Sequence, residues 1–413
     1  MNKFIFGIAL TLLLLPLHAL SQSSTNSPYS SFGLGEMDLH DYGRTSGMGG
    51  VGIGMLSDRM LNKSNPASYM SLDSLAFQLD MTLSLRSSDY MNSRGRFSTL
   101  NGGLKKLAIG FRVTPMWATV VGVKPFSNVG YNIEQIKEIE GTTETYTLTS
   151  KGDGGLSQFY FGNAFRITKN LSVGINSAFI FGSIVKQEVY SSSSFDSEFV
   201  LERKLSPKTL YFDFGTQYKN SINDNKLQYV IGVVGGFKRK VRLEETSTAS
   251  ESSTELTSDI NLLGDEYIPS FFGLGASVKT ECWVFGADYR MDHWGNVAES
   301  NGKHIYKNAS KIAFGGEYSP NILGAKSIFQ RMIYQVGAKY EQSNLKLNSV
   351  NLDGYALTAG IEVPGRRMRT SFGLSMEYGK RGSLENGLIR ENYFQMNLHL
   401  NMSDIWFIKQ KYQ

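Results

Sequence analysis

Beyond residue 21 the 413-residue chain holds four histidines, His40, His293, His304 and His399, and no two of them are spaced to share a metal ion. Paired imidazole ligands need a short spacing such as His-x3-His, or cysteine partners, and the single cysteine is Cys282. One cysteine also excludes an intramolecular disulfide framework. No G-x-S-x-G elbow is present to present a nucleophilic serine. His40 lies beside Asp38 and Asp41, but on a glycine-rich stretch, so it reads as a surface or capping group. His399 lies on an alternating segment, where an inward imidazole either approaches a serine or simply takes hydrogen bonds. These residues assign no catalytic group, no metal and no cofactor. The chain is not read as an enzyme.

Gly47-Met48-Gly49-Gly50-Val51-Gly52 spells the dinucleotide-binding fingerprint G-x-G-x-x-G. Its context fails, because residues 41–46 are no buried strand and no strand–helix–strand unit follows. Glycines here more plainly serve close backbone packing or positive φ. Formal charge is +5, and losing Lys3 leaves 41 basic against 37 acidic residues, or +4. Basic and acidic residues are interspersed, which argues against nucleic acid as a partner. Two basic runs stand out, Lys238-Arg239-Lys240-Val241-Arg242 and Arg366-Arg367-Met368-Arg369. The first adjoins an outer loop, where it either pairs with lipopolysaccharide phosphates or stays solvated. The second lies in a short turn bent by Pro364 and Gly365.

The elements that must hold these residues are strands. Leu83 and Leu85 alternate with Thr82 and Ser84, Phe179 and Phe181 with Ala178 and Gly182, and Phe394, Met396, Leu398 and Leu400 with Gln395, Asn397 and His399. A period of two over such lengths is that of half-buried strands. Long polar connections fall near 87–102, 140–155, 187–207, 243–268, 293–308, 342–353 and 381–388. Short ones fall near 114–116, 168–170, 220–225, 279–281, 320–330 and 364–369. Seven long and six short connections in strict alternation join fourteen strands. An even number of antiparallel strands, with long loops at one end and short turns at the other, describes an outer-membrane barrel. Aromatics at 12% exclude a disordered chain. A secreted β-sandwich or propeller needs a second face that is polar to water or packed on another sheet, whereas the small and polar residues Ser172, Gly174, Asn176, Ala178 and Gly182 suit a lumen.

Residues 1–21 read as a secretory signal: Lys3, a 12-residue apolar stretch too short to span a bilayer as a helix, and small residues at Ala19 and Ser21. Residues 22–74 show no strand period but carry Met48, Val51, Ile53, Met55, Leu56 and Leu61, too apolar for a solvated tail. They read as a plug inside the barrel, residues 75–402 as the barrel itself and 403–413 as a tail. With the aromatic face outward, parity places Asp288, Arg290, Asp292, Lys311, Glu317, Gln335, Lys339, Glu341 and Glu377 inside. They read either as a network of ion pairs filling the lumen or as a filter and a seat for the plug.

Arg44-Thr45-Ser46-Gly47-Met48-Gly49-Gly50, with Gly52 and then Asn65-Pro66-Ala67, resembles the plug of FadL-type outer-membrane transport proteins. Gly286-Ala287-Asp288-Tyr289 with Trp294, Gly316-Glu317-Tyr318-Ser319-Pro320, Gly379-Lys380-Arg381-Gly382 and Trp406-Phe407 are similar to the Bacteroidota version of that family. The resemblance implies a fourteen-stranded barrel with an N-terminal hatch, in which Gly47, Gly49, Gly50, Gly52, Asn65, Pro66 and Ala67 would form the hatch and ligand region. It implies passive passage of hydrophobic small molecules, such as long-chain fatty acids, laterally through a kinked strand. Relatives of the PorV type instead serve as barrel subunits of protein-secretion assemblies, and others accompany barrel-assembly complexes. The leading expectation is therefore hydrophobic uptake, with a non-catalytic secretion or assembly subunit as the alternative. Outer-membrane lipid, lipopolysaccharide, an apolar ligand and other barrels or secretion proteins are the expected partners.

Overall fold

The computed structural model describes residues 27–405 apart from 39, 75, 94, 193–197, 223–225, 253, 264–265, 297–303, 321–326, 328, 348 and 366–369. The signal segment, the 366–369 basic run and residues 406–407 lie outside the described residues.

The chain forms β1 (Ala76–Asn92), β2 (Gly95–Thr114), β3 (Trp117–Glu138), β4 (Thr145–Arg166), β5 (Leu171–Ser191), β6 (Phe199–Ile222) and β7 (Leu227–Gly236). It continues through β8 (Arg242–Glu251), β9 (Thr254–Leu263), β10 (Phe271–Lys279), β11 (Trp283–Asp292), β12 (Ala309–Tyr318), β13 (Ile333–Gln342), β14 (Gly354–Pro364), β15 (Thr370–Arg381) and β16 (Arg390–Ile405). β8 continues the line of β7 along β6, and β9 leads into β10. The ring therefore has fourteen antiparallel strands, closed where β16 pairs with β1 from Met91↔Arg390 to Ala76↔Ile405. Closure leaves no sheet edge in hydrocarbon. Leu85, Phe161, Phe212, Leu274, Phe285 and Leu398 stand exposed on the outer face, the apolar band a bilayer satisfies.

Several connections expected as loops are strand. β1 runs to Asn92 and β2 starts at Gly95, its partner, β4 begins at Thr145, and β8 and β9 fill most of 243–268. Serine, threonine and charge there disguise the strands, because above the membrane neither face needs to be apolar. The 319–332 connection is longer than the short turn expected, and β16 runs on to Ile405, past the expected barrel end at 402. β3 to β6 have 22, 22, 21 and 24 residues, whereas β10 to β13 have 9, 10, 10 and 10. A tilted strand crosses a membrane in about 9–11 residues. The strands of one side therefore rise far above the membrane, and those of the opposite side stop near it, where the connections carry a small sheet of their own, His304–Tyr306, Leu345–Leu347 and Val350–Asn351.

Candidate functional site

Residues 27–72 thread between the strands, and Met48, Val51, Leu61, Ala67 and Tyr69 are buried there almost completely. Inward-facing glycines of the wall make room for them. A Cβ on Gly315 or Gly337 would fall 2.3 Å from the backbone of Met48, and one on Gly174 would fall 2.5 Å from that of Pro66. Gly215 meets Asn65, and Gly232 meets the Ile53 carbonyl. Within the segment Gly49 and Gly50 adopt φ of +71° and +70°, and Gly47 lies against Gly360. Gly52 packs on Ser64. Asn65 caps the short 3-10 helix Pro66–Ser71: its side chain accepts from Ala67 N and donates to the carbonyls of Ile53 and Thr216.

Polar side chains of the wall reach the same backbone. Asp288 accepts from Gly52 N and Ile53 N at 2.6 and 2.8 Å. Thr358 accepts from Gly49 N and donates to Gly47 O, and Gln217 donates to the carbonyls of Ile53 and Met55. Arg44 forks between Glu317 and Glu362, each at 2.6 Å, and donates to Ser57. Burial opposes its charge, but the two carboxylates outweigh burial and hold the guanidinium above its ordinary pKa. Gln335 donates to the second oxygen of Glu317. Lys106, with no exposed surface, lies 3.3 Å from both Asp41 and Asp80 and donates to Leu61 O. Lys63 pairs with Asp213 at 2.9 Å.

Of the inward charges expected from parity, Asp288 and Glu317 thus engage the N-terminal segment. Lys339 pairs with Glu377 at 2.9 Å and with Glu341 at 3.5 Å. Arg290 pairs with Asp292 on its own strand, and Lys311 lines a cavity above the segment. His40 corrects its sequence reading. It is no surface cap, for its Nε2 lies 2.5 Å from Glu341 and 3.2 Å from Lys339. Burial, reinforced by Lys339, lowers its pKa. His399 faces Asp80 and Thr82, each at 3.4 Å. No group of His, Cys, Asp or Glu among the described residues could hold a metal ion.

Sequence reading missed Arg44, Thr358 and the Lys106–Asp80 pair. Parity did carry a signal for two of the wall positions, since Asp80 and Thr358 alternate with outward leucines. Lys106 was hidden by a bulge: Thr82 pairs with Lys106, but Leu83 pairs with Leu104, so Lys105 is an extra residue. The bulge turns Lys105 toward Asp38 at 3.0 Å.

The cavity has a volume of about 510 Å³, and Arg86, Lys105, Arg290, Lys339, Glu377 and Glu391 are among the residues lining it. It reaches a seam in the wall. β2 pairs with β3 only between Leu107↔Val123 and Thr114↔Trp117. Above Val123, β3 bulges at Phe126 and keeps β4 as its neighbour. The freed edge is taken by the N-terminal segment itself: Glu36 and Met37 pair with Asn128 and Ser127. Ser30 and Gly130 exchange hydrogen bonds, and Ser127 donates to Leu34 O. Higher up, Tyr29 packs with Leu345, Leu347, Leu352 and Leu388 beneath the outer loops.

The family profile described as BamG matches residues 1–413. No curated protein matches the chain. Among solved structures, the toluene transporter TodX of P. putida superposes with a TM-score of 0.61 at 15% identity, over 90% of this chain and 100% of that one. A FadL homologue of Pseudomonas aeruginosa gives 0.62 at 13% identity, over 90% and 99%. The monoaromatic hydrocarbon channel CymD gives 0.60 at 15% identity, over 89% and 99%. At these identities the likeness concerns the fold: a FadL-type outer-membrane barrel.

Proposed function

We infer the function from one premise: the chain belongs to the BamG family, whose profile spans it end to end. We propose that it is a non-catalytic barrel subunit, an adaptor in an outer-membrane protein secretion or assembly complex. The observation that carries this reading is the sealed seam. The break between β2 and β3 is where a lateral exit would open, and Glu36 and Met37 occupy it by pairing with β3, while Ser30 and Leu34 bond to Gly130 and Ser127. Asp38 pinned by Lys105 holds the same stretch from the other side. The cavity behind it is lined by ionised groups, and a hydrocarbon entering there would strip their water without replacing its hydrogen bonds.

The test is affinity isolation from native membranes after mild crosslinking in cells. A second barrel or a periplasmic assembly protein should co-isolate in stoichiometric amount. The chain recovered alone, with a stoichiometric apolar ligand, would overturn the assignment.

A second reading, uptake of hydrophobic small molecules, draws on the seam's existence and on Phe32, Leu34, Trp294 and Tyr306, which give the cavity an apolar side. The hydrocarbon channels of the same fold make it worth separating. A Met37→Cys/Ser127→Cys disulfide in a Cys282→Ser background would lock the strap across the seam. Uptake of a labelled hydrophobe falling on oxidation and returning on reduction would favour transport. Partner recovery unchanged by the lock would favour the adaptor.

A further inference from the structure

The wall breaks between β7 and β8. Five residues, 237–241, face the four residues 209–212 of β6, because Asp213 pairs with Gly236 and Lys208 with Arg242. The extra residue suspends the in–out alternation, so Arg239 and Lys240 are both exposed while Val241 is buried. The register also sets Lys208 directly beside Arg242. Both are exposed, and Lys208 shares its face with Leu210, Phe212 and Phe214 of the lipid-facing band just below. Lys204 lies on the same face two rows higher, opposite Thr246. The carboxylates on this face are Glu244, opposite Ser206, and Glu202, one row beyond Lys204 and bonded to Gln187, so cations outnumber carboxylates beside the apolar band. Phe237, 74% exposed, stands edge-on to Phe214 at 5.8 Å and extends the apolar band to the foot of the cations.

A cationic rim directly above exposed aromatics, at the long-loop end, matches one kind of molecule: an amphiphile with phosphates on its head. Arginine and lysine bind phosphate oxygens through charge-assisted hydrogen bonds, and a snorkelling lysine at a membrane boundary keeps its ammonium at headgroup depth. We propose that this patch binds a phosphorylated glycolipid of the outer leaflet, with phosphates on Lys208, Arg239 and Arg242 and acyl chains along Phe214 and Phe237. The site lies outside the barrel, and it is independent of whether the chain transports or assembles.

Native mass spectrometry of the full-length protein in mild detergent tests it, with bisphosphorylated lipid A, its dephosphorylated form and inorganic phosphate as probes. The wild type should retain bisphosphorylated lipid A at one equivalent. Lys208→Gln/Arg239→Gln/Arg242→Gln should weaken that binding by at least about tenfold, while Lys169→Gln at a short turn should not. Phe237→Ser should weaken lipid A binding while leaving that of inorganic phosphate unchanged. Heat-modifiable gel mobility verifies that each variant is a folded barrel. If the triple variant fails to fold, Arg242→Gln alone should lower affinity about threefold. Equal retention by wild type and folded cation variants would overturn the proposal, as would equal binding of dephosphorylated lipid A. Inorganic phosphate bound as tightly as lipid A would overturn the assignment to a lipid.

Discussion

Arg44 stands between two carboxylates that have almost no contact with solvent. Removing it would leave Glu317 and Glu362 buried and mutually repelling, an arrangement that costs about 3–5 kcal/mol. Arg44→Met should therefore lower the urea midpoint of the purified barrel strongly, and Glu317→Gln/Glu362→Gln in the same chain should recover part of the loss. An Arg44→Met protein as stable as wild type would contradict the pairing. Gly337→Val tests the glycine seat: its side chain would start 2.3 Å from Met48, and overpacking of this kind costs about 1–3 kcal/mol. Gly103→Val, with nothing within 4 Å, should be silent by the same assay. Gly337 was legible in sequence only as a small inward residue. Its partner was not legible, because Met48 lies almost three hundred positions earlier and no local pattern joins the two. The same holds for Arg44, whose guanidinium reads as an ordinary surface charge until the strands carrying Glu317 and Glu362 are placed around it.

At the scale of elements, alternation sufficed to count the strands and orient their faces, because a lipid-facing row admits few polar residues. It failed where strands leave the membrane. Residues 145–155 pair without a break, and 243–251 with 254–263 through one register shift at Ala249/Ser250, but serine, threonine and glutamate on both faces erase the period. The bulge at Lys105 likewise shifts parity by one, so a reader counting by twos places Lys105 or Lys106, never both, inside. The strap is the element whose removal should show most. Deleting residues 27–38 exposes the edge of β3 above Val123, and unpaired edges recruit other strands. The deletion should increase self-association in detergent, read by light scattering, while the barrel keeps its heat-modifiable mobility. A deletion protein that stays monodisperse would show that β3 does not need this cover.

For the whole molecule, strand length sets the outline. At roughly 3.3 Å per residue, 22-residue strands extend about 70 Å and 10-residue strands about 33 Å. An epitope inserted at Gly141, between β3 and β4, should bind antibody on intact cells. The same epitope at Lys169, between β4 and β5, should bind only after permeabilisation. Reversed staining would invert the assigned orientation. Closure of the ring and its strand number were readable from the order of long and short connections, whereas the tall side was not, since it depends on segments whose sequence resembles loops.

That uneven rim gives the barrel a front and a back within the plane of the membrane. A neighbour arriving beside β10 to β13 meets a low strand rim topped by the connections that carry Leu345, Leu347 and Leu352. One arriving beside β3 to β6 meets a parapet. A companion protein that must lie across the top is thereby restricted to one bearing around the barrel axis, so rotation as well as position is fixed when the two meet.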